Sequence, residues 1–460
     1  MENEIDNKRI KRFMNPRTKS ATWIIIIVDL SIFLTGLCFA WSSPILVKLA
    51  ETKDNPLGDP ITPDESDLIG SLFYIGCCIG PIFIIWILVK FGRKTSLIIS
   101  IVPFILAHVC FAFSKNIEVY YICRIISGIA VGSIVSAVPV YTSEILPPKI
   151  RGCLMSLCNT FIQAGSLLSY VSGPYLSVCY FNIMIVIVSL VFLILFVIFC
   201  PESPYYTLVA NGKEETGKLL RNLRVENINY ELNEIEAALS EQRNDSFLAI
   251  FKTKSNVKAF LLATILLVIQ QFTGTNIIMG YSQLIFLETN VIFSSDKCAI
   301  IVGCFQLFSS FLTPLYSEKY PRKSLLGFSL SGLIICNFTL SIYFFVLKDM
   351  NIMNWLPLLA LAVFVLFDNC GDGALPWVLL GELYPSHIKC TGSSLSTSIF
   401  YLVQFCLTFI FHKVELKFMF LGFGCLTILA LIFIYYFVPE TKGKTLREIQ
   451  ELIEKDSIFA

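Results

Sequence analysis

Long apolar runs separated by short polar segments fill the chain from residue 21 to residue 438. A run of roughly 20 apolar residues can cross a bilayer as an α-helix, whereas membrane β-barrels show alternating segments of roughly ten residues. The pattern therefore predicts an all-α membrane protein with twelve transmembrane helices. The predicted spans are 21–48, 66–89, 95–114, 118–142, 152–178, 181–200, 257–285, 296–318, 324–347, 354–382, 388–412 and 415–438.

A polar stretch divides these spans into six and six. Its leucines and isoleucines recur at helical spacing with charges between them, which is typical of short amphipathic helices. A solvated linker is the alternative. The predicted organisation is a cytoplasmic tail (1–20), a six-helix bundle (21–200), a cytoplasmic linker with short helices (201–256), a second six-helix bundle (257–438) and a cytoplasmic tail (439–460).

An internal repeat relates the two halves. The segment 143–147, which carries Glu144, returns as 381–385, which carries Glu382, and the Pro-Glu pair at 201–202 returns at 439–440 with the same separation. Parallel repeats are one recognised plan of membrane transporters, with the substrate site near the middle of the bilayer between the repeats. The repeat therefore predicts two pseudo-symmetric bundles.

The charged residues indicate which partners to expect and how the chain is oriented in the membrane. Charged residues make up 15% of the 460-residue chain, hydrophobic residues make up 55%, and the net charge is +1, so nucleic acid is not an expected partner. Lys and Arg concentrate in the N-terminal tail and after the second, fourth and eighth spans, which predicts that both termini are cytoplasmic. With three His and no His/Cys cluster, we expect no metal and no cofactor.

Charged residues also recur in matching positions at the predicted cytoplasmic ends of both halves. Wet ion pairs are each worth little, so a set of them can break and re-form as a protein changes state. We therefore predict an ion-pair network that joins these helix ends in one state; anchoring by snorkelling basic side chains is the alternative. Its predicted members are the pairs Glu144–Arg151, Glu382–Lys389 and Glu318–Arg322, together with Arg93, Lys94, Glu202 and Glu440.

Uncharged amides lie inside several apolar spans. A buried amide is costly unless it finds a partner, and it both donates and accepts hydrogen bonds, as sugar hydroxyls require. The seventh span is the richest, and its Thr273-Gly274-Thr275 sequence weakens the helix, as in discontinuous substrate-binding helices. Hydrogen bonding from helix to helix is the alternative role. The predicted substrate-binding residues are Gln270, Gln271, Asn276, Gln306, Trp377, Asn159, Gln163 and Gln404.

Several motifs resemble those of the sugar-porter family of the major facilitator superfamily. They are Arg124-x-x-x-Gly128, Pro139-Val140-Tyr141 with Glu144, Pro201-Glu202-Ser203-Pro204, Gln270-Gln271-x-Thr273-Gly274-x-Asn276, Pro376-Trp377 with Glu382, and Pro439-Glu440-Thr441-Lys442-Gly443. The resemblance extends over residues 23–450. Within the family, Trp41-Ser42-Ser43-Pro44 looks most like the insect branch of facilitated trehalose transporter-like proteins.

The resemblance implies a transporter that cycles by alternating access. It implies that the seventh-span amides bind sugar, that Trp377 lies under the sugar and that Tyr281 is a gating residue. We add Pro376 to the gating residues, because proline permits a bend in the tenth span. The chain departs from the family pattern at Val89, Pro321, Lys389 and Asn369, which predicts an atypical cytoplasmic lock.

We therefore expect a facilitative (uniport) sugar transporter that moves trehalose or a hexose such as glucose. It would act as a monomer in the plasma membrane, with the sugar and the lipid bilayer as its partners. We expect no enzymatic activity, because no nucleophile–base motif or phosphate-binding loop is present.

Two alternatives remain at this stage. A proton-coupled symporter is the first, because Asp29, Asp368 and Asp372 fall within predicted spans and an ionisable group can carry a proton. Symporters that resemble this chain carry an Asp in the span-one motif, where this chain has Trp41-Ser42-Ser43, and this difference favours uniport. A non-transporting sugar sensor is the second, and the short predicted tails argue against it.

Overall fold

The computed structural model describes residues 16–52, 55–146, 157–223, 228–242, 250–350, 353–385, 388–442, 444 and 448–449. Every regular element within these residues is a helix, as the uninterrupted apolar runs predict.

The helices follow the predicted order. Those of the first half are α1 (Pro16–Ala50), α2 (Pro63–Phe91), α3 (Arg93–Phe113), α4 (Ile117–Ile145), α5 (Leu157–Ser172) and α6 (Val178–Phe199). Two helices of the polar stretch follow, α7 (Pro204–Leu223) and α8 (Ile228–Gln242). Those of the second half are α9 (Lys254–Phe272), α10 (Thr275–Leu287), α11 (Ser295–Lys319), α12 (Arg322–Ile342), α13 (Leu356–Cys370), α14 (Leu375–Leu383), α15 (Lys389–Phe409) and α16 (Leu416–Phe437). Shorter turns extend α12 (Tyr343–Leu347 and Lys348–Met350) and link α15 to α16 (Phe411–Lys413).

Ten stretches of these described helices are long and apolar enough to cross a membrane. They correspond to ten of the twelve predicted spans, and α5 and α15 are the other two. The described part of α5 has 16 residues, and the first half of α15 is rich in Ser and Thr. The complete set of twelve crossings stays a prediction.

The helices predicted for the polar stretch are present. Leu220 and Leu223 of α7 and Ile235 of α8 are buried, while most of their neighbours are charged and exposed. The two helices pack against each other. The apolar positions at helical spacing therefore mark an amphipathic surface, as the sequence pattern predicts.

Two predicted spans are broken in the middle. The seventh span is divided into α9 and α10 at Gly274, whose φ of 94° lies in the left-handed region that glycine adopts without strain. The tenth span is divided into α13 and α14 by residues 371–374. Both breaks leave backbone groups without partners inside their own helix, so polar groups must be supplied by neighbours.

Helices pack mainly within their own half, as α2 does with α4 and α12 with α16. Gly128 of α4 permits a close approach of this kind, because a Cβ there would lie 2.0 Å from the carbonyl oxygen of Phe73 in α2. Among the described residues, the most extensive contacts between the halves are those of α1 with α10, α2 with α15, and α5 with α11. The breaks at α9/α10 and α13/α14 therefore lie within the second half, close to this junction.

Candidate functional site

The predicted amides of the seventh span lie on the two sides of its break. Gln270 and Gln271 end α9, and Asn276 lies in the first turn of α10. Gln271 is fully buried; its Nε2 donates to the carbonyl oxygen of Phe400 at 3.2 Å, and its Oε1 accepts from Asn276 Nδ2 at 2.8 Å. Both ends of the Gln271 amide are therefore occupied by protein groups.

In Gln270 and Gln163, unlike Gln271, the protein binds only the nitrogen of the side-chain amide. Gln270 Nε2 donates to the carbonyl oxygens of Asp372 (3.0 Å) and Gly373 (3.2 Å), and Gln163 Nε2 donates to Asn159 Oδ1 at 3.3 Å. In both residues the buried Oε1 has no hydrogen-bond partner among the described residues. Each side chain is thus anchored through its nitrogen and offers a carbonyl oxygen to a hydroxyl donor.

The remaining predicted ligands are spread over three helices. Trp377 of α14 packs edge-on against Phe400, with ring centroids 5.2 Å apart, beside the carbonyl group that holds Gln271. Gln404 lies one turn further along α15 and donates to Thr408. Gln306 is buried in α11, and Pro376 lies in the first turn of α14.

One hydrogen bond of the candidate site joins the two halves. Asn159 Nδ2 of α5 donates to Asn369 Oδ1 of α13 at 2.9 Å. The resemblance to sugar porters implies Glu at position 369, so the Asn that this chain carries there produces a neutral amide pair. The structure therefore brings Asn159 and Gln163 towards the second half through α13.

The sequence pattern missed a cross-link at the end of the molecule that is predicted to face outwards. His412, in the turn after α15, contacts Asp67 of α2 through its Nδ1 (2.5 Å) and donates its backbone N–H to the same carboxylate. The ring of Tyr281 stacks on Phe411 at 4.2 Å, and its hydroxyl lies where a side chain on Gly70 would be. Tyr281, the predicted gating tyrosine, therefore lies beside the contact that joins the halves at the end predicted to face outwards.

At the predicted cytoplasmic end, the ion pairs repeat in the two halves. Arg93 Nη2 lies 2.8 Å from Glu144 Oε1, and Arg322 Nη2 lies 3.5 Å from Glu382 Oε1. These pairs differ from the predicted ones, because the arginines that start α3 and α12 meet the acids at the ends of α4 and α14. Each pair lies within one half.

Glu202 and Glu440 cap the same two helices. Glu202 accepts hydrogen bonds from the backbone N–H groups of Arg93 and Lys94 at 2.9 and 3.0 Å, and Glu440 accepts from the equivalent groups of α12 at 3.0 and 3.1 Å. Burial raises the pKa of Glu440, but the surrounding backbone N–H groups lower it, and its pKa lies below the usual value. Anionic caps of this kind complement the positive N-terminal end of a helix.

Other members of the predicted network have different surroundings. The ammonium group of Lys94 donates to the carbonyl oxygen of Val197 at 2.8 Å, so this contact is not an ion pair. Lys389 is the first residue of α15. Arg151 and the side chain of Glu318 lie outside the described residues.

Comparison with known proteins gives the context of this arrangement. The family model described as "Sugar (and other) transporter" matches residues 23–453. Facilitated trehalose transporter Tret1 of Bombyx mori is 28% identical over 466 residues, covering 97% of this chain and 90% of the relative. The Tret1-2 homolog of Drosophila simulans is 30% identical over 439 residues, covering 92% and 88%.

Solved structures share the fold. The xylose transporter XylE of E. coli, in a partially occluded inward-open conformation, has a TM-score of 0.78 and 24% identity, and the match covers 93% of this chain and 100% of XylE. The proton:xylose symporter XylE bound to 6-bromo-6-deoxy-D-glucose has a TM-score of 0.79 and 24% identity, covering 95% and 99%. The chain therefore belongs to the sugar (and other) transporter family and is a membrane sugar transporter with the major facilitator fold.

Proposed function

We propose that this protein is a facilitative uniporter that moves trehalose or a hexose such as glucose down its concentration gradient. Twelve transmembrane helices in two six-helix bundles, divided at 201–256, would rock about a central sugar site by alternating access. It would act as a monomer in the plasma membrane with both termini in the cytoplasm. The relatives named as facilitated trehalose transporters support this substrate class.

The neutral chemistry of the candidate site supports an uncharged, hydroxyl-rich substrate. The amides at the α9/α10 break carry no charge, and the unpaired Oε1 atoms of Gln270 and Gln163 can each accept a hydrogen bond from one hydroxyl group. Trp377 offers an apolar ring surface beside them.

The contacts of the buried Arg124 side chain are the main observation that supports uniport. Arg124 is 1% exposed; its Nε donates to the carbonyl oxygen of Ile69 and its Nη2 to Ser42 Oγ, both at 3.0 Å. The guanidinium also packs over the rings of Trp41 and Phe73, at 4.9 and 4.3 Å. Its hydrogen-bond partners among the described residues are thus a carbonyl group and a hydroxyl group, and neither can carry a proton across the membrane.

A proton-coupled symporter is the second candidate. Asp29, Asp368 and Asp372 are buried in α1 and around the break at α13/α14, and buried ionisable groups in membrane helices often serve proton transfer. The structural neighbour named as a proton:xylose symporter also keeps this candidate open.

The test is uptake into proteoliposomes with labelled glucose, fructose and trehalose, each at equal pH on both sides. We expect one of these sugars to equilibrate without accumulation and without alkalinisation of the outer medium. Protein-free liposomes correct for leakage. Alkalinisation that accompanies sugar entry would reject uniport in favour of symport, and no uptake of any sugar would reject the substrate class.

A further inference from the structure

The two helix breaks of the second half are joined by two hydrogen bonds between hydroxyl and carboxylate groups. Thr275 Oγ1 donates to Asp368 Oδ1 at 2.8 Å. Thr273 Oγ1 lies 3.0 Å from Asp372 Oδ2 and 2.8 Å from the carbonyl oxygen of Gln270, so these two acceptors share its single hydrogen. All four residues are buried, with at most 8% of any of them exposed. Each bond connects the α9/α10 break to the α13/α14 break.

Carboxylates suit this position for two reasons. Each carboxyl group offers two oxygen atoms that can accept hydrogen bonds. Thr275 is also the first residue of α10, and α14 starts at Leu375, shortly after Asp372, so the positive ends of two half-helices lie at the breaks. The carboxylates can therefore remain buried while they tie the two breaks together.

The same connection fixes a predicted sugar ligand. The backbone carbonyl groups of Asp372 and Gly373 hold Gln270 Nε2, and the backbone N–H of Asp372 donates to Ser329 Oγ at 3.0 Å. The backbone of the α13/α14 break thereby determines where Gln270 Oε1 lies. A shift of this segment would displace that oxygen from its position in the candidate site.

We propose that Asp368 and Asp372 are positioning residues of the sugar site. Their carboxyl oxygens accept hydrogen bonds that clamp the two breaks together and hold Gln270 with an unpaired carbonyl oxygen that suits a sugar hydroxyl. They do not carry a transported proton. This inference rests on the proposed sugar site.

A double-mutant cycle on sugar transport tests the clamp. Thr273→Val keeps the shape of the side chain and removes the donor, so KM should rise roughly tenfold while kcat changes less. Asp372→Val should have the same effect, and the double variant should be no worse than either single variant, because both remove one shared bond. Asp372→Asn keeps an acceptor oxygen and should restore a KM close to that of the wild type. Thr275 and Asp368 form a second, parallel cycle.

The matched control is Thr264→Val in α9. Thr264 Oγ1 shares a 2.7 Å hydrogen bond with Ser396, away from both breaks. This variant should be less stable but should keep the wild-type KM. If Thr273→Val raises KM no more than this control does, the clamp has no role in positioning.

Two further outcomes keep the inference separate from the proposed function. If Asp372→Asn loses transport as fully as Asp372→Val, and proton movement is lost with it, the carboxylate is a proton carrier and the inference is wrong. If the wild-type protein carries no sugar, the proposed function fails on its own. In that case, the unfolding temperatures of Thr273→Val, Asp372→Val and the double variant test the clamp. If the two single decreases add up to the decrease of the double variant, the two side chains share no bond and the clamp is rejected. Thr273→Ser keeps the hydroxyl group and shows whether loss of the donor caused any misfolding.

Discussion

The contact between Asp67 and His412 holds the two halves together at the end that is predicted to face outwards. Asp67→Ala removes a fully buried carboxylate that accepts hydrogen bonds from both the ring and the backbone N–H of His412. A hydrogen bond to a charged group contributes about 1.5–3 kcal/mol. The contact joins α2 of the first half to the turn after α15 in the second half, so this energy is lost when the outer ends separate.

The variant should therefore shift the equilibrium towards the outward-open state by roughly ten- to a hundredfold. Gly280→Cys provides a reporter, because a Cβ there meets no atom closer than 3.7 Å and the site is buried behind the closed outer end. We would introduce it into a background without other reactive cysteines. The rate at which a membrane-impermeant maleimide labels Cys at this position from outside should then rise by about the same factor, because only the open state reacts.

Asp64→Ala is the matched control. Asp64 lies 3.9 Å from Lys413, but both side chains are largely exposed, and exposed ion pairs contribute little. Its labelling rate should stay near that of the reporter protein. His412→Ala serves as a second test if Asp67→Ala does not fold. Labelling at the control rate in both variants would refute the role of this contact in closing the outer end.

Three other predictions concern the site, the inner end and the packing. Gln270→Leu should lower sugar affinity by roughly ten- to a hundredfold with normal surface abundance. Gln271→Leu should instead lower surface abundance, because it leaves two protein partners unpaired. Sugar binding and surface labelling, measured on the same cells, separate the two effects. Glu144→Gln combined with Glu382→Gln should slow transport at near-normal abundance, and unchanged uptake would mean that these acids serve only as anchors. Gly128→Ala should reduce the yield of folded protein, measured by size-exclusion chromatography, because the new Cβ would lie 2.0 Å from a carbonyl oxygen of α2.

Local patterns in the sequence were sufficient for several features. The apolar runs gave the order and approximate bounds of the helices, and the glycine at 274 marked the break between α9 and α10. The repeat correctly matched Glu144 with Glu382, which have equivalent arginine partners in the two halves. These features depend on residues that are close in sequence or on comparison of the sequence with itself.

Such patterns could not identify the ion-pair and hydrogen-bond partners of these residues. The sequence suggested Arg151 for Glu144 because the two are near neighbours, and this pair lies outside the described residues. The structure shows a partner that the sequence did not suggest, Arg93, which lies 51 residues before Glu144. The sequence pattern also indicated that Thr273 and Thr275 weaken a helix, but it did not show that their hydroxyl groups contact the carboxyl groups of the other break. Spacing along one helix cannot show which side chain a neighbouring helix presents.

The sequence by itself thus determined that this chain is a helical membrane protein, where its helices break and which residue types are available for a sugar. Hydropathy and glycine placement act over a few turns of one helix, so they can be read without a fold. Only the tertiary structure decided which residues act together. Asp67 and His412 are 345 residues apart and belong to different halves, and their contact exists because the packing of α2 against α15 brings the outer ends of the two halves together.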